Sequence, residues 1–455
     1  LRKRLAETSI LFISVLKWFA LASFIGVLVG GSTALFLWCL KWATGSLFAV
    51  PYHYAFLPLG LFFSSVIVKY LAPDAKGHGT EKVIEAIHQR GGLIKPLVIP
   101  VKLLATVVTL ASGGSAGKEG PCAQIGAGIS STLARLFRFE ETDRKKLVIC
   151  GVSAGFSTVF GTPVAGALFG VEVLAIGQLQ YAVLFPSFVA GIIGYQISTA
   201  LGTTYFHHPI SFIPAFSELF FFKVVLGGVV FGLLSFVFIE MLKFTERLSD
   251  RFHGWEPLKG VFGGGLLLIT LVLGDRYLGL GLTTVESLLN GASTGRGYDP
   301  LIKMAATAIT LSFGGSGGIV TPIFFIGATA GSFIAGVFGL DPATGAALGM
   351  VGTLAGCANT PISASVMAIE LFGASLSPYA AVTSIVSFLI VGHRSVYPSQ
   401  IMAISKSASL KAELGKPVED MHEVAISSRN ASVAGLGRKV VRRLRRKPGS
   451  QARAK

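Results

Sequence analysis

Apolar runs alternate with short polar breaks along the whole chain, at 10–42, 54–71, 93–110, 147–176, 181–201, 220–242, 261–278, 301–313, 323–338, 346–371 and 380–391. Several approach the ~20 residues a helix needs to cross a bilayer. Others are too short, or are broken by Gly and Pro. Irregular backbone at membrane depth survives only where protein buries it or where it lines a cavity. The pattern therefore predicts an all-α membrane protein with broken and re-entrant helices, and the breaks are the places to look for function. Gly26, Gly30 and Gly31, and Gly263, Gly264 and Gly265, allow the close helix contacts that hold such bundles together in lipid.

A repeat lies within this pattern. Gly113–Ala127 aligns without a gap onto Gly314–Ala328, and eight of the fifteen positions are identical, as GGSxGxxxPxxxIGA. A second pair follows at nearly the same offset: Thr162–Glu172 aligns onto Thr360–Glu370, with Thr, Pro and Glu in common. Two motifs in one order at one spacing mean two homologous halves. The expected divisions are an N-terminus at 1–10, a first half at 11–202, a connection at 203–219, a second half with a final helix at 220–405, and a basic tail at 406–455. Hydropathy alone leaves parallel and inverted arrangements of the halves open.

Composition sharpens the class. With 52% hydrophobic residues, 14% charged residues and 56 glycines, a soluble globular domain is excluded. The net charge of +16 is concentrated at the ends: Arg2, Lys3 and Arg4, and nine basic residues without an acid from Arg438 to Lys455. By the positive-inside bias both termini are cytoplasmic, the number of crossings is even and the expected location is a cell (inner) membrane. No aromatic residue interleaves the basic run, so it reads as a topogenic or anionic-lipid segment and not as a nucleic-acid arm. Cys39, Cys122, Cys150 and Cys357 are scattered and apolar in context, and His207-His208 has no acidic company. No metal, cofactor or enzyme activity is expected.

The two glycine-rich segments have the makeup of an anion site. Each ends an apolar run, loosens into glycines and restarts as a helix whose fourth residue is proline, leaving backbone N–H groups free to face the loop. Placing an unpaired ion in low dielectric costs on the order of 20 kcal/mol, and one helix end returns at most ~2 kcal/mol. Several must converge, and the candidates are the helix starts after Gly79, Gly117, Gly318 and Ser395. Partial charges on N–H groups select an anion and still let it leave.

These segments resemble a known family. GKEGPCAQIG at 117–126 resembles the GREGP segment of the CLC chloride channels and proton-coupled exchangers, and GGIVTP at 317–322 resembles their GGIFAP segment. GHGTE at 77–81 is similar to their GSGIPE, and SVYPSQ at 395–400 to the segment carrying their inner-gate tyrosine. The resemblance implies an inverted repeat within each subunit and a homodimer with one chloride-type pathway per subunit. It implies that Glu119 gates the pathway and carries protons, and that Lys118 and Gly120 beside it take part in binding the anion. It assigns anion binding to His78 and Gly79, to Gly318, Ile319 and Val320 through backbone amides, and to Tyr397 through its hydroxyl. Too few residues follow Val391 for the cytoplasmic regulatory modules of some members, so nucleotide regulation is not expected there.

The residues also depart from the family pattern. His78 replaces the serine of chloride-selective members, which opens the choice among chloride, nitrate and fluoride, and its imidazole is either a neutral N–H donor or a titrating group. Val173 stands where many exchangers carry an internal proton-transfer glutamate, and a valine relays no protons. That favours passive or weakly coupled anion transport. The alternative is an anion/proton antiporter that reaches Glu119 through water. Glu119 could instead pair with Lys118, Tyr397 could be an interfacial belt residue, and Glu172 and Glu370 read either as helix-end holders or as transport residues.

Overall fold

The computed structural model describes residues 2–210, 216–421 and 425–426. The basic run from Arg438 to Lys455 lies outside the described residues. The first half contains α1 (Arg2–Phe48), α2 (Leu57–Leu71), α3 (Thr80–Gln89), α4 (Val98–Ala111), α5 (Glu119–Leu136), α6 (Glu141–Phe160), α7 (Pro163–Glu172) and α8 (Tyr181–Ala200). The second contains α9 (Glu218–Asp250), α10 (Leu258–Ile269), α11 (Leu282–Leu289), α12 (Asp299–Ser312), α13 (Val320–Val337), α14 (Pro342–Ala358), α15 (Pro361–Phe372) and α16 (Ser377–Ile390). The two sets correspond helix by helix, α1 with α9 through α8 with α16. Five stretches among the described residues, 7–48, 53–71, 181–200, 218–250 and 320–337, are long and apolar enough to cross a membrane.

Two apolar runs are each divided in the same way. After α6, Gly161 takes a left-handed conformation (φ 73°), and after α14, Asn359 does so (φ 57°). A Thr-Pro pair then starts the short α7 and α15. A left-handed residue closes one helix and proline opens the next without losing a needed N–H.

The halves are inverted. Gly117 and Gly318 occupy equivalent positions and pair with each other antiparallel, exchanging N–H to C=O bonds of 2.7 and 2.6 Å. Because α5 and α13 begin immediately after this pair, they run away from it in opposite senses. The surrounding contacts obey the same two-fold. Ser115 N–H donates to Thr310 Oγ1 and Ser316 N–H to Thr109 Oγ1, both at 3.0 Å. The hydroxyl pairs Ser115–Thr307 and Thr106–Ser316 repeat the relation at 3.0 and 3.3 Å. Burial is arranged inside out from a soluble protein. The first turns of α5 and α13 are fully enclosed, whereas large apolar side chains on α1, Trp38 and Trp42 among them, are about two-thirds exposed, at 65% and 66%. Those are surfaces for lipid.

One expected element is absent. No helix follows Ser395: α16 ends at Ile390, and residues 393–400 run as turns and extended chain into β2 (Ile401–Met402), which pairs in parallel with β1 (Ala175–Ile176). The cause is long-range hydrogen bonding. Gln400 is fully buried; its Nε2 donates to the carbonyls of Val173 (2.7 Å) and Ala358 (2.8 Å), and its Oε1 accepts from Ser395 Oγ and Asn359 Nδ2. These bonds hold the backbone extended against a local Val-Tyr-Pro signal for a helix start.

Candidate functional site

Glu119 opens α5, one residue later than the glycine pattern predicts, with Lys118 as its cap; α13 likewise opens at Val320 with Ile319 as its cap. The Glu119 side chain crosses to the other half. Its Oε1 accepts from the Val320 backbone N–H at 2.5 Å and its Oε2 from Thr321 Oγ1 at 2.7 Å, fully shielded from solvent. A carboxylate thus occupies the N-terminus of α13, where the dipole and unpaired amides favour negative charge. It fits because both walls are glycine: a Cβ on Gly117 or on Gly318 would fall on the carboxylate atoms. Lys118 lies partly buried at the cap, within electrostatic reach of Glu119, while both Glu119 oxygens are engaged by Val320 and Thr321.

The first-half loop packs directly below. Gly79 (φ 82°) caps α3, and a Cβ there would meet the Gly120 carbonyl oxygen at 2.6 Å, while one on Gly120 would overlap the His78 carbonyl. Backbone approach this close requires glycine. The His78 ring lies 5.6 Å from the Tyr397 ring, centroid to centroid. Tyr397 is fully buried, so it is no belt residue, and its N–H donates to Ser395 Oγ at 2.9 Å. Three of the four expected helix starts, those after Gly79, Gly117 and Gly318, therefore meet around Glu119. Tyr397 joins them from an extended segment.

Beyond Tyr397 opens a cavity of about 360 Å³, lined by the 76–85 loop and helix, by the C-terminal half of α9, by residues 395–399 and by Glu419. The chain after α16 folds back over this face. Backbone bonds from Val418 N–H to Gln400 O and from Glu419 N–H to Pro398 O tie it to the Tyr397 segment. Burial, with Asp420 and Glu85 close by, pushes the Glu419 carboxyl up.

Val173 is fully buried at the end of α7, its carbonyl held by Gln400. Its neighbour Glu172 accepts from the Ile362 and Ser363 N–H groups at 3.0 and 2.7 Å, the N-terminus of α15. Glu370 returns the contact, accepting from Val164 and Ala165 N–H at 2.9 and 2.8 Å, the N-terminus of α7. Of the two readings, the geometry is that of reciprocal helix caps.

Several residues of the site escaped the sequence reading. Thr321 shares the carboxylate with Val320. Lys102, fully buried on α4, donates to the carbonyls of Ala75 (3.0 Å) and Gly77 (2.5 Å) and so holds the loop that carries His78. Lys303, its equivalent on α12, donates to Tyr277 (3.1 Å) and Gly279 (2.9 Å). A signal was present, because Lys-x-x-Ala-Thr-x-x-Thr occurs in a near-identical form at 102–109 and 303–310, and Gly-x-Gly at 77–79 and 279–281.

Buried helix ends converging from two inverted halves on one carboxylate define a membrane transport protein for small anions. The chain belongs to the voltage gated chloride channel (CLC) family, whose model matches residues 60–392. It is 36% identical over 401 residues to the chloride/fluoride channel protein of Pseudomonas syringae pv. tomato, covering 86% of this chain and 88% of that one. It is 27% identical to the H(+)/Cl(-) exchange transporter ClcA of Salmonella typhimurium, covering 77% and 80%. Among solved structures it is similar to a CLC-type fluoride/proton antiporter, with a TM-score of 0.80 and 28% identity over 86% of this chain and 98% of that one. The chain is thus a CLC-type anion transport protein.

Proposed function

We propose that this chain exchanges a small halide, fluoride or chloride, for protons, with Glu119 alternating with the anion at the N-terminus of α13. The observation that carries the reading is the Glu119 carboxylate on the Val320 amide and Thr321 hydroxyl. An anion can take those donors only after the carboxylate leaves. Neutralisation by a proton is what weakens its charge-assisted bonds, so each entry of an anion is linked to a proton on Glu119. Ile319 and Val320 supply amides on one side, where Gly318, its own N–H given to the Gly117 carbonyl, contributes a wall without a side chain, and His78, Gly79 and Gly120 form the opposing wall, with Lys118 setting the local potential. Tyr397 closes the route toward the cavity. The halides named for the relatives support fluoride and chloride ahead of nitrate. The working unit is a homodimer in a cell membrane, one pathway per subunit, with both termini cytoplasmic.

Val173 favours a second reading, passive anion flow, because the usual inner carboxylate is missing. Reconstitution in liposomes separates the two. Under opposed anion and proton gradients, exchange predicts a reversal potential that shifts with pH and uphill proton movement driven by fluoride or chloride. A potential equal to the anion's own Nernst value, unmoved by pH, selects the passive reading.

A further inference from the structure

Where Val173 leaves no inner carboxylate, the cavity supplies one on another element. Glu81 stands in the first turn of α3 and lines the cavity. Its Oε1 accepts from the Ser399 N–H at 2.9 Å and from the Ser399 hydroxyl. Its Oε2 is buried and has no partner among the described residues. Other buried polar side-chain atoms nearby lack a well-aligned hydrogen-bond partner: His78 Nδ1, Gln124 Oε1 and the Tyr397 hydroxyl, which has Thr80 beside it. Gln124 packs on Gly79, and the Tyr397 hydroxyl lies within electrostatic reach of both Glu81 and Glu119. Buried polar atoms that the protein leaves unsatisfied take water.

We propose that Glu81 is the inner proton-transfer residue of this protein, taking protons from the cavity and passing them through water, past His78 and Tyr397, to Glu119. This rests on the exchange reading. In each cycle the O–H bond formed at Oε2 breaks as the proton moves to the Glu119 carboxylate, and Glu81 ends ionised, as it began. Its surroundings favour protons. On α3, Lys82 is paired with Glu85 at 2.7 Å, and on the preceding loop Lys76 is drawn to Glu256 at 3.1 Å. Asp250 faces Lys259 at 4.0 Å, which leaves Lys243 of α9 facing Glu246 of the same helix and Glu419 of the C-terminal segment. A cavity with surplus carboxylates concentrates protons at its mouth.

Glu81 also has a plain positioning contact, its bond to Ser399, and the two roles separate by substitution. Glu81→Gln keeps an oxygen for Ser399 and loses the titrating group; Ser399→Ala keeps the titrating group and the backbone N–H donor and loses only the hydroxyl donor. The full chain in liposomes under a fluoride gradient, and in parallel a chloride gradient, is read for protons moved per anion. The expected result is a ratio at least about 10-fold lower in Glu81→Gln with anion flux retained, and an unchanged ratio in Ser399→Ala. A wild-type ratio in Glu81→Gln, or an equal loss in Ser399→Ala, overturns the proposal. A wild-type protein that moves no protons uphill overturns the exchange reading and this proposal together, before any substitution is made. Should Glu81→Gln fail to fold, Glu81→Asp keeps a carboxyl group and must still couple; an Asp protein that carries anions without protons overturns the assignment.

Discussion

Glu119 holds its place by two hydrogen bonds to its carboxylate oxygens, one from an amide and one from a hydroxyl. Bonds to charged groups contribute about 1.5–3 kcal/mol each, and every 1.4 kcal/mol is a factor of about ten in population. Protonation removes the charge that makes them strong, so the proposed alternation predicts that the fraction of open sites rises as pH falls. Glutamine cannot ionise and on the same proposal starts in the open condition. Anion flux through wild type is therefore expected to rise with acidity, and flux through Glu119→Gln to be high and flat across the same range, measured by anion efflux from liposomes. A Glu119→Gln protein that keeps the wild-type pH response would place the gate elsewhere. Glu119 was legible in the sequence because an acid inside a glycine-rich membrane break has few other uses. Its partner Thr321 was not, since nothing local says that a side chain will cross 202 positions to meet it.

Among the elements, α7 and α15 show how short helices are kept in register across the two halves. Each begins with Thr-Pro and each has its first free N–H groups filled by a glutamate from the end of the other. Replacing Glu172 by alanine leaves one buried and one part-buried N–H without an acceptor, and replacing Glu370 leaves one part-buried and one exposed, a cost of about 1–3 kcal/mol for each buried group. The melting temperature of the protein in detergent is expected to fall in both variants, and less in the glutamine variants, which keep an oxygen. The drop should be larger at Glu172, the more buried of the two. Lost transport with unchanged melting would make these residues part of the pathway. Elements with a strong local signal, such as the Gly-Thr-Pro and Asn-Thr-Pro breaks, were readable in advance. The segment after Ser395 was misread for the opposite reason: a local helix-start pattern lost to Gln400, three of whose four partners come from two distant parts of the chain.

Across the whole molecule a symmetric frame carries an asymmetric chemistry. The two-fold maps Lys102 onto Lys303, Gly77 and Gly79 onto Gly279 and Gly281, and α3 onto α11. The reactive positions break it: His78 maps onto Leu280, Glu81 onto Thr283 and Glu119 onto Val320. Lys102 and Lys303 each fix a loop through two carbonyl bonds to a buried ammonium, so Lys102→Met and Lys303→Met should cost similar stability, about 3–6 kcal/mol each from two charged hydrogen bonds. Their effects on transport should differ. Lys102 sets the loop that presents His78 to Gly120 and Tyr397, whereas the loop set by Lys303 ends in Leu280 and Gly281, which carry no polar side chain toward the site. Anion flux normalised to folded protein is therefore expected to fall at least about 10-fold in Lys102→Met, as for a displaced positioning loop, and to stay near wild type in Lys303→Met. Equal losses in both would mean that transport follows the stability of the frame, and that the pathway is built as symmetrically as the scaffold around it.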